Sequence, residues 1–220
     1  MRALITQRES VDAHGEALDT LEARYTAYFA GLGITVRPVS NFMPELTPLL
    51  REEPFDGLIL TGGGDIPTRF YSQPHAGGTQ PNRDRTEEQL IEFCTREKKP
   101  ILAICRGMQY INGLWGGKVS TLDGLKADRP IGKDHPVEIE GETWLVNQYH
   151  NDGIYVQDLA RGLTPLAVDG KNQVVEAFTA ERERILALQW HPERAFSCKG
   201  AQQKTTELIR KFFRLGEDIG

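Results

Sequence analysis

Cysteine is scarce in this chain. Cys94, Cys105 and Cys198 are the only three in 220 residues, an odd number with no Cys-x-x-Cys pair. That argues against a disulfide framework and for a reducing compartment. Nor do cysteines and histidines cluster at metal-binding spacing, so neither a metal nor a cofactor is expected. A basic surplus is missing as well: 26 Lys and Arg stand against 31 Asp and Glu, for a net charge of −5 and a pI of about 5.6. Nothing here suggests a surface built for nucleic acid. No apolar run approaches the ~20 residues of a membrane span. The start, Met1-Arg-Ala-Leu-Ile-Thr-Gln-Arg-Glu9, turns polar before any signal-peptide core could form. The expected setting is the cytoplasm, away from membranes. There is no internal repeat, low-complexity tract or clear linker. The length and the ordinary balance of 39% hydrophobic and 26% charged residues suit one α/β domain spanning 1–220.

The chain alternates between two periodicities. Ala3–Thr6 reads as a first strand. Leu18, Leu21, Tyr25, Tyr28, Phe29 and Leu32 fall at helical spacing, closed by Gly33 at a C-cap position. Ile34–Val39 reads as a strand, Leu46–Glu53 as a short helix and Gly57–Leu60 as a continuous apolar strand breaking into Thr61-Gly-Gly-Gly-Asp65. Residues 66–83 read as a loop, Asp84–Glu97 as a helix, Pro100–Ile104 as a strand and Gly107–Leu114 as a helix. From 118 to 170 the pattern shortens into hairpins and an inserted helix. Val174–Phe178 and Ile185–Trp190 are two more strands, and Thr205–Leu215 is a closing amphipathic helix. Continuously apolar strands alternating with helices predict a mostly parallel sheet covered on both faces. In such sheets sites form beyond the carboxyl ends of the strands. Gly62–Gly64, Cys105 and His191 each follow directly on a predicted strand.

Taken alone, Cys105 fits a buried structural cysteine, since free cysteine is among the most buried residue types. Its context points elsewhere. It stands between an apolar strand and a helix whose free N–H groups stabilise a thiolate. Ala103-Ile-Cys-Arg-Gly107 parallels the Gly-x-Ser-x-Gly nucleophile elbow, with Ala at the first glycine. His191 and Glu193 are two apart, so an extended segment puts them on one side, and Pro192 restricts the backbone between them. A carboxylate orienting an imidazole that takes a thiol proton is the logic of a triad. The glycine run lacks a following Gly-Lys-[Ser/Thr], so a phosphate loop is not expected. Its backbone N–H groups, joined by that of Arg106, would form an oxyanion hole. Gln109 lies one helical turn after Cys105 and could face the same cleft, though a surface glutamine fits the spacing equally. His150 in Val146-Asn-Gln-Tyr-His-Asn151 is a second cleft candidate. His14, His75 and His135 have no partner spacing and are read as structural. Arg83-Asp84-Arg85 at a helix start reads as capping and salt bridging.

Four stretches together resemble the class I glutamine amidotransferase-like superfamily, and within it the γ-glutamyl hydrolases of peptidase family C26. They are Leu58–Asp65, Pro100–Gln109, Val146–His150 and Gln189–Glu193, in family order across most of the chain. The resemblance implies a flavodoxin-like α/β fold with a Cys105-His191-Glu193 triad attacking a γ-glutamyl amide through a thioester. It also implies oxyanion donors at Gly63 and Arg106, glutamine binding at Gln109, and His150 in the segment lining the glutamyl pocket. Gln148 replaces a serine common in that segment. The compact length and the Gln7-Arg8 and Tyr149-His150-Asn151 stretches are similar to a small family member of capsule biosynthesis acting on a γ-glutamyl-CDP-amidate. The expected partner is a small γ-glutamyl substrate, with a homodimer left open. The alternative is a glutaminase subunit, which would need a partner synthetase. A non-catalytic protein that kept the fold is a third reading, against which the intact triad argues.

Overall fold

The computed structural model describes residues 1–52, 54–125 and 129–216. In chain order its strands are β1 (Arg2–Ile5), β2 (Arg8–Val11), β3 (Ala17–Thr20), β4 (Thr35–Pro38), β5 (Gly57–Leu60), β6 (Ile101–Ile104), β7 (Ser120–Thr121), β8 (Asp134–Ile139), β9 (Glu142–Asn147), β10 (Asp152–Tyr155), β11 (Thr164–Asp169), β12 (Val174–Ala180) and β13 (Ile185–Leu188). The helices are α1 (Ala23–Gly31), α2 (Thr47–Glu52), α3 (Pro81–Arg96), α4 (Arg106–Leu114) and α5 (Lys199–Phe213). The main sheet runs β4-β1-β5-β6-β13-β12-β11-β8-β9. The first five of these are parallel, and β12, β11, β8 and β9 continue it antiparallel.

Strand alternation explains how the sheet is covered. Leu58, Leu60, Ile101 and Ala103 face one side with Leu90, Ile91 and Cys94 of α3 and Met108 and Ile111 of α4. Ile5, Ile59, Leu102 and Ile104 face the other with Tyr25 and Phe29 of α1 and Ile209 and Phe213 of α5. All are buried, and each such aliphatic side chain contributes roughly 1.5–3 kcal/mol. Both faces of the parallel strands are thus apolar, which is why β5, β6 and β13 read as unbroken apolar runs.

Several boundaries differ from those expected. The helical spacing from Leu18 is coincidental, because Ala17–Thr20 pairs with Arg8–Val11 in a separate hairpin and α1 starts at Ala23. The turn explains it: Asp12 Oδ1 accepts from the His14 and Glu16 N–H groups, and Gly15 takes a positive φ. The segment expected to be a loop to residue 83 ends earlier, at Pro81, which opens α3 at the first helical position. It also holds a 3-10 turn, Thr68–Phe70. In the stretch 118–170 the hairpins are present, but among the described residues the only helical pieces are 3-10 turns at Asp123–Leu125 and Val156–Asp158. The closing helix begins at Lys199, earlier than expected. Glu53, the expected end of the short second helix, lies outside the described residues. No helix among them is long and apolar enough to cross a membrane.

Candidate active site

Strands β5, β6 and β13 lie side by side in register, Leu58 against Ile101 and Ile101 against Ile185. Their carboxyl ends deliver Gly62–Gly64, Cys105 and His191 to one edge of the sheet. There Gly63, Gly64, Cys105 and His191 line a cavity of about 290 Å³ together with Gln109 and His150.

Cys105 is the elbow between β6 and α4. Its φ of 53° and ψ of −106° are strained for an L-residue, costing about 1–3 kcal/mol. The turn needs Gly107, where a Cβ would stand 2.7 Å from Leu60 Cβ and 3.0 Å from the Leu60 carbonyl oxygen. The first-turn N–H groups of α4, Arg106 included, have no partners within the helix.

His191 is held by Asn147, whose Oδ1 accepts from the His191 N–H at 3.0 Å while its Nδ2 donates to the His191 carbonyl at 2.8 Å. Nδ1 of the imidazole lies 2.6 Å from Glu193 Oε1; the two side chains meet as expected, but across a turn closed by the Arg194 N–H on the His191 carbonyl at 3.1 Å rather than along an extended segment. His191 and Cys105 both line the cavity, and a Cβ on Gly62 would stand 2.7 Å from His191 Cε1 and 3.2 Å from Cys105 Cβ. Burial pulls the His191 pKa down, but the Cys105 sulfur and Glu193 carboxylate outweigh it and push it up to about 10. All three side chains are buried, with Cys105 7%, His191 4% and Glu193 9% exposed, so water screens their coupling little.

The glycine turn is fixed from beneath by Arg83. Its guanidinium donates to the Thr61 carbonyl at 2.6 Å, to the Gly63 carbonyl at 2.8 Å and to the Gly62 carbonyl at 3.4 Å. A trans peptide points its N–H opposite its C=O. The N–H groups of Gly62, Gly63 and Gly64 therefore leave on the far side from Arg83. That of Gly62 donates to Tyr25 Oη at 2.9 Å, which leaves those of Gly63 and Gly64. Gly63 has a φ of +81°, which a side chain would resist.

Arg83 is wholly buried and bridges to Glu87, which also receives Arg106; Arg106 in turn bridges to Asp84. Burial alone would raise the Glu87 pKa, but the two guanidiniums hold it below its usual value. Asp84 is raised to about 6 by burial, against the pull of Arg106. One stripe of α3 thus changes from Leu90, Ile91 and Cys94 to Arg83 and Glu87 as it reaches the site. The sequence reading of Arg83 as capping and salt bridging captured its pairing but missed its grip on the glycine turn.

The model of the family described as Peptidase C26 matches residues 5–193. The chain belongs to the peptidase C26 family. It is 36% identical over 158 residues to the gamma-glutamyl-CDP-amidate hydrolase of Campylobacter jejuni, covering 72% of this chain and 70% of that one. It is 32% identical over 174 residues to the glutamine amidotransferase-like protein YvdE of Lactococcus lactis, covering 70% and 72%. The crystal structure of a glutamine amidotransferase from Thermotoga maritima superposes with a TM-score of 0.57 at 18% identity, covering 97% and 84%, and shares the fold. Family and relatives support a hydrolase of glutamine amidotransferase-like architecture.

In this C26 chain Gln109 lines the cavity, and its Nε2 donates to the Asp152 carbonyl at 3.0 Å and to Gln189 Oε1 at 3.1 Å. Its side-chain oxygen is the atom left for a ligand. His150 is also at the wall, but its Nδ1–H donates to the Asp152 carbonyl at 2.8 Å and its Nε2 points to Arg129 and Glu176. Burial lowers its pKa to about 4, so at neutral pH the ring is uncharged. Arg129 is then the cation that faces Glu176. His135 joins that buried group through Arg129 and Glu176, partners that sequence spacing could not reveal. His14 is exposed in the hairpin turn. His75 stacks on Tyr71 with ring centroids 3.8 Å apart. Asp65, His75 and Asp152 bring one ligand atom each within 4.8 Å of one another, the group among the described residues that could hold a cation. The three cysteines are free.

Proposed function

We propose that the protein hydrolyses a γ-glutamyl amide by a Cys105-His191-Glu193 mechanism. The observation that carries this is the buried Glu193–His191 hydrogen bond at the cavity that Cys105 enters from a strained elbow, in a family whose relatives include a γ-glutamyl amidate hydrolase. The Cys105 sulfur, deprotonated by His191, attacks the γ-carbonyl carbon. The carbonyl oxygen becomes an oxyanion, held by the N–H groups of Gly63 and Arg106. His191 returns the proton to the amide nitrogen, the C–N bond breaks and the amine leaves. Water then gives a proton to His191 and attacks the thioester, releasing glutamate and the thiol. Glu193 holds the imidazole in the tautomer with hydrogen on Nδ1. Gln109 receives the glutamyl group through its side-chain oxygen, and His150 shapes the wall beside it.

The 36% identity to the hydrolase of Campylobacter jejuni favours a γ-glutamyl-CDP-amidate among candidate substrates. In the resemblance drawn above, that substrate belongs to capsule biosynthesis. The free thiols accord with a cytoplasmic setting. The test is a panel of γ-glutamyl amides, glutamine included, given to the purified chain while free glutamate is followed by mass spectrometry. Release from an amidate or another γ-glutamyl amide, lost in Cys105→Ala, is expected. Cleavage of glutamine alone, and only with cell extract added, would instead favour a glutaminase subunit that serves a synthetase.

A further inference from the structure

The cavity is electrically divided. At one end stand Asp65 and Asp152, beside Gln109. At the other, Arg8 and Arg194 share one carboxylate, Glu22. Arg194 Nη2 lies 2.9 Å from both Glu22 oxygens and Arg8 Nη2 lies 3.1 Å from Oε1. Arg194 Nε also lies 3.8 Å from Glu193 Oε1, but that carboxylate is held by His191 at 2.6 Å, so Glu22 is the carboxylate the two guanidiniums share and the rim keeps a positive surplus. Its place is defined by the reacting groups. The Arg8 side chain crosses Gly63 so closely that a Cβ there would stand 2.4 Å from Arg8 Cδ and 3.1 Å from Nε. The Arg194 guanidinium lies 4.5 Å from the centre of the Tyr149 ring, and that ring meets His191 edge-on at 5.9 Å and 85°. His191 hands its proton to the leaving nitrogen, so the leaving group departs along this wall. The acidic end beside Gln109 is left to the glutamyl group and its α-ammonium.

We propose that the Arg8–Glu22–Arg194 rim selects γ-glutamyl amides whose leaving group carries an oxyanion, a phosphoryl or carboxylate group close to the amide nitrogen. The inference rests on the γ-glutamyl hydrolase reading and names the leaving-group class of that same site. A guanidinium offers a planar fork that pairs bidentately with such oxyanions and gains nothing from a neutral amine. Arg8 is anchored well enough to discriminate. It opens the β2–β3 hairpin, whose Glu9 accepts from Asn82 Nδ2 at 2.7 Å and from the Asn82 N–H at 3.0 Å at the start of α3. It is also open enough to bind, with its side chain 37% exposed and that of Arg194 20% exposed.

The experiment compares kcat/KM for γ-glutamyl methylamide, γ-glutamylglycine and γ-glutamyl-CDP-amidate in the wild type, Arg8→Met, Arg8→Lys and Glu22→Gln. Melting curves establish that each variant folds. The wild type should prefer an anionic leaving group. Arg8→Met should cut the ratio of anionic to neutral kcat/KM about tenfold, mainly through KM, and Arg8→Lys should recover part of it. Glu22→Gln should move the ratio the other way by freeing both guanidiniums, and this readout also serves if Arg8→Met does not fold. Whichever anionic substrate loses more in Arg8→Met identifies the phosphoryl or the carboxylate source. An active wild type whose ratio is unmoved by Arg8→Met and Glu22→Gln overturns the rim alone. A wild type inert on all three substrates overturns the hydrolase reading and the rim with it.

Discussion

Gly62→Ala adds one methyl group where the glycine turn meets the nucleophile and its base. The new Cβ would stand 2.7 Å from His191 Cε1 and 3.2 Å from both Cys105 Cβ and Tyr25 Oη. Ordinary contact begins at 3.4 Å, so the imidazole has to retreat by about 0.7 Å or the glycine turn has to lift by as much. Neither is easy. Asn147 holds the His191 backbone on both sides, and Arg83 holds the Thr61, Gly62 and Gly63 carbonyls. A misplacement approaching 1 Å at a reacting group costs about a hundredfold in rate, or about 2.7 kcal/mol of barrier. Overpacking adds about 1–3 kcal/mol of lost stability. The assay is kcat on a chromogenic γ-glutamyl anilide, with thermal melting and the rate of Cys105 alkylation followed in parallel. Gly62→Ala turning over at the wild-type rate with an unchanged Tm would refute the tight contact from which the number is worked.

Three other perturbations probe separate parts of the account. Glu87→Gln leaves Arg83 and Arg106 buried without their shared carboxylate and should cost about 3–5 kcal/mol in urea unfolding; a loss below about 1 kcal/mol would contradict that pairing. Glu193→Gln should lower kcat by roughly a hundredfold less than Cys105→Ala does, because Glu193 orients and does not react; equal losses would show its role is misjudged. Acid should destabilise the protein through the cluster behind the cavity. Burial holds the His150 pKa at about 4, below its ordinary 6.5, so the unfolded chain takes up the proton first and stability falls over that window. Glu176 is held down to about 2, with His150, Arg129 and His135 outweighing burial, so its contribution is complete above about 4.5 and is lost as pH falls through about 2. Glu176→Gln should therefore show a shallower loss of stability between pH 4.5 and 2 in denaturation curves, and an unchanged slope would contradict this.

The parts of the site legible in the sequence are those whose geometry is local. His191 and Glu193 meet two residues apart around Pro192, in a turn rather than the extended segment expected, and Cys105 faces the cavity at an elbow because a strand gives way to a helix there. That β5, β6 and β13 bring their ends together follows from the rule for parallel sheets, applied to apolar runs that were visible as such. What was hidden depends on contacts far apart along the chain. Arg83 reaches back 20 residues to Gly63, Asn147 reaches forward 44 to His191, and Tyr25 caps Gly62 across 37. No spacing within one sequence marks such pairs. The β2–β3 hairpin was obscured for another reason: Leu18 and Leu21 match helical spacing, yet Leu18 is 40% exposed and belongs to a strand. The Asp12-Ala-His-Gly15 turn was the signal that outweighed it. That hairpin also carries Arg8 to the cavity, so the misread element is the one that bears on leaving-group choice.

The central claim is that Cys105 carries the glutamyl group covalently. Acid quenching of the purified protein during turnover of a γ-glutamyl amide, followed by mass spectrometry of the peptide containing Cys105, tests it most directly. The account predicts a glutamyl adduct on Cys105 that decays as glutamate appears, with no adduct and no glutamate in Cys105→Ala. Glutamate release that persists undiminished in Cys105→Ala, with Cys105 unmodified in the wild type, would contradict it.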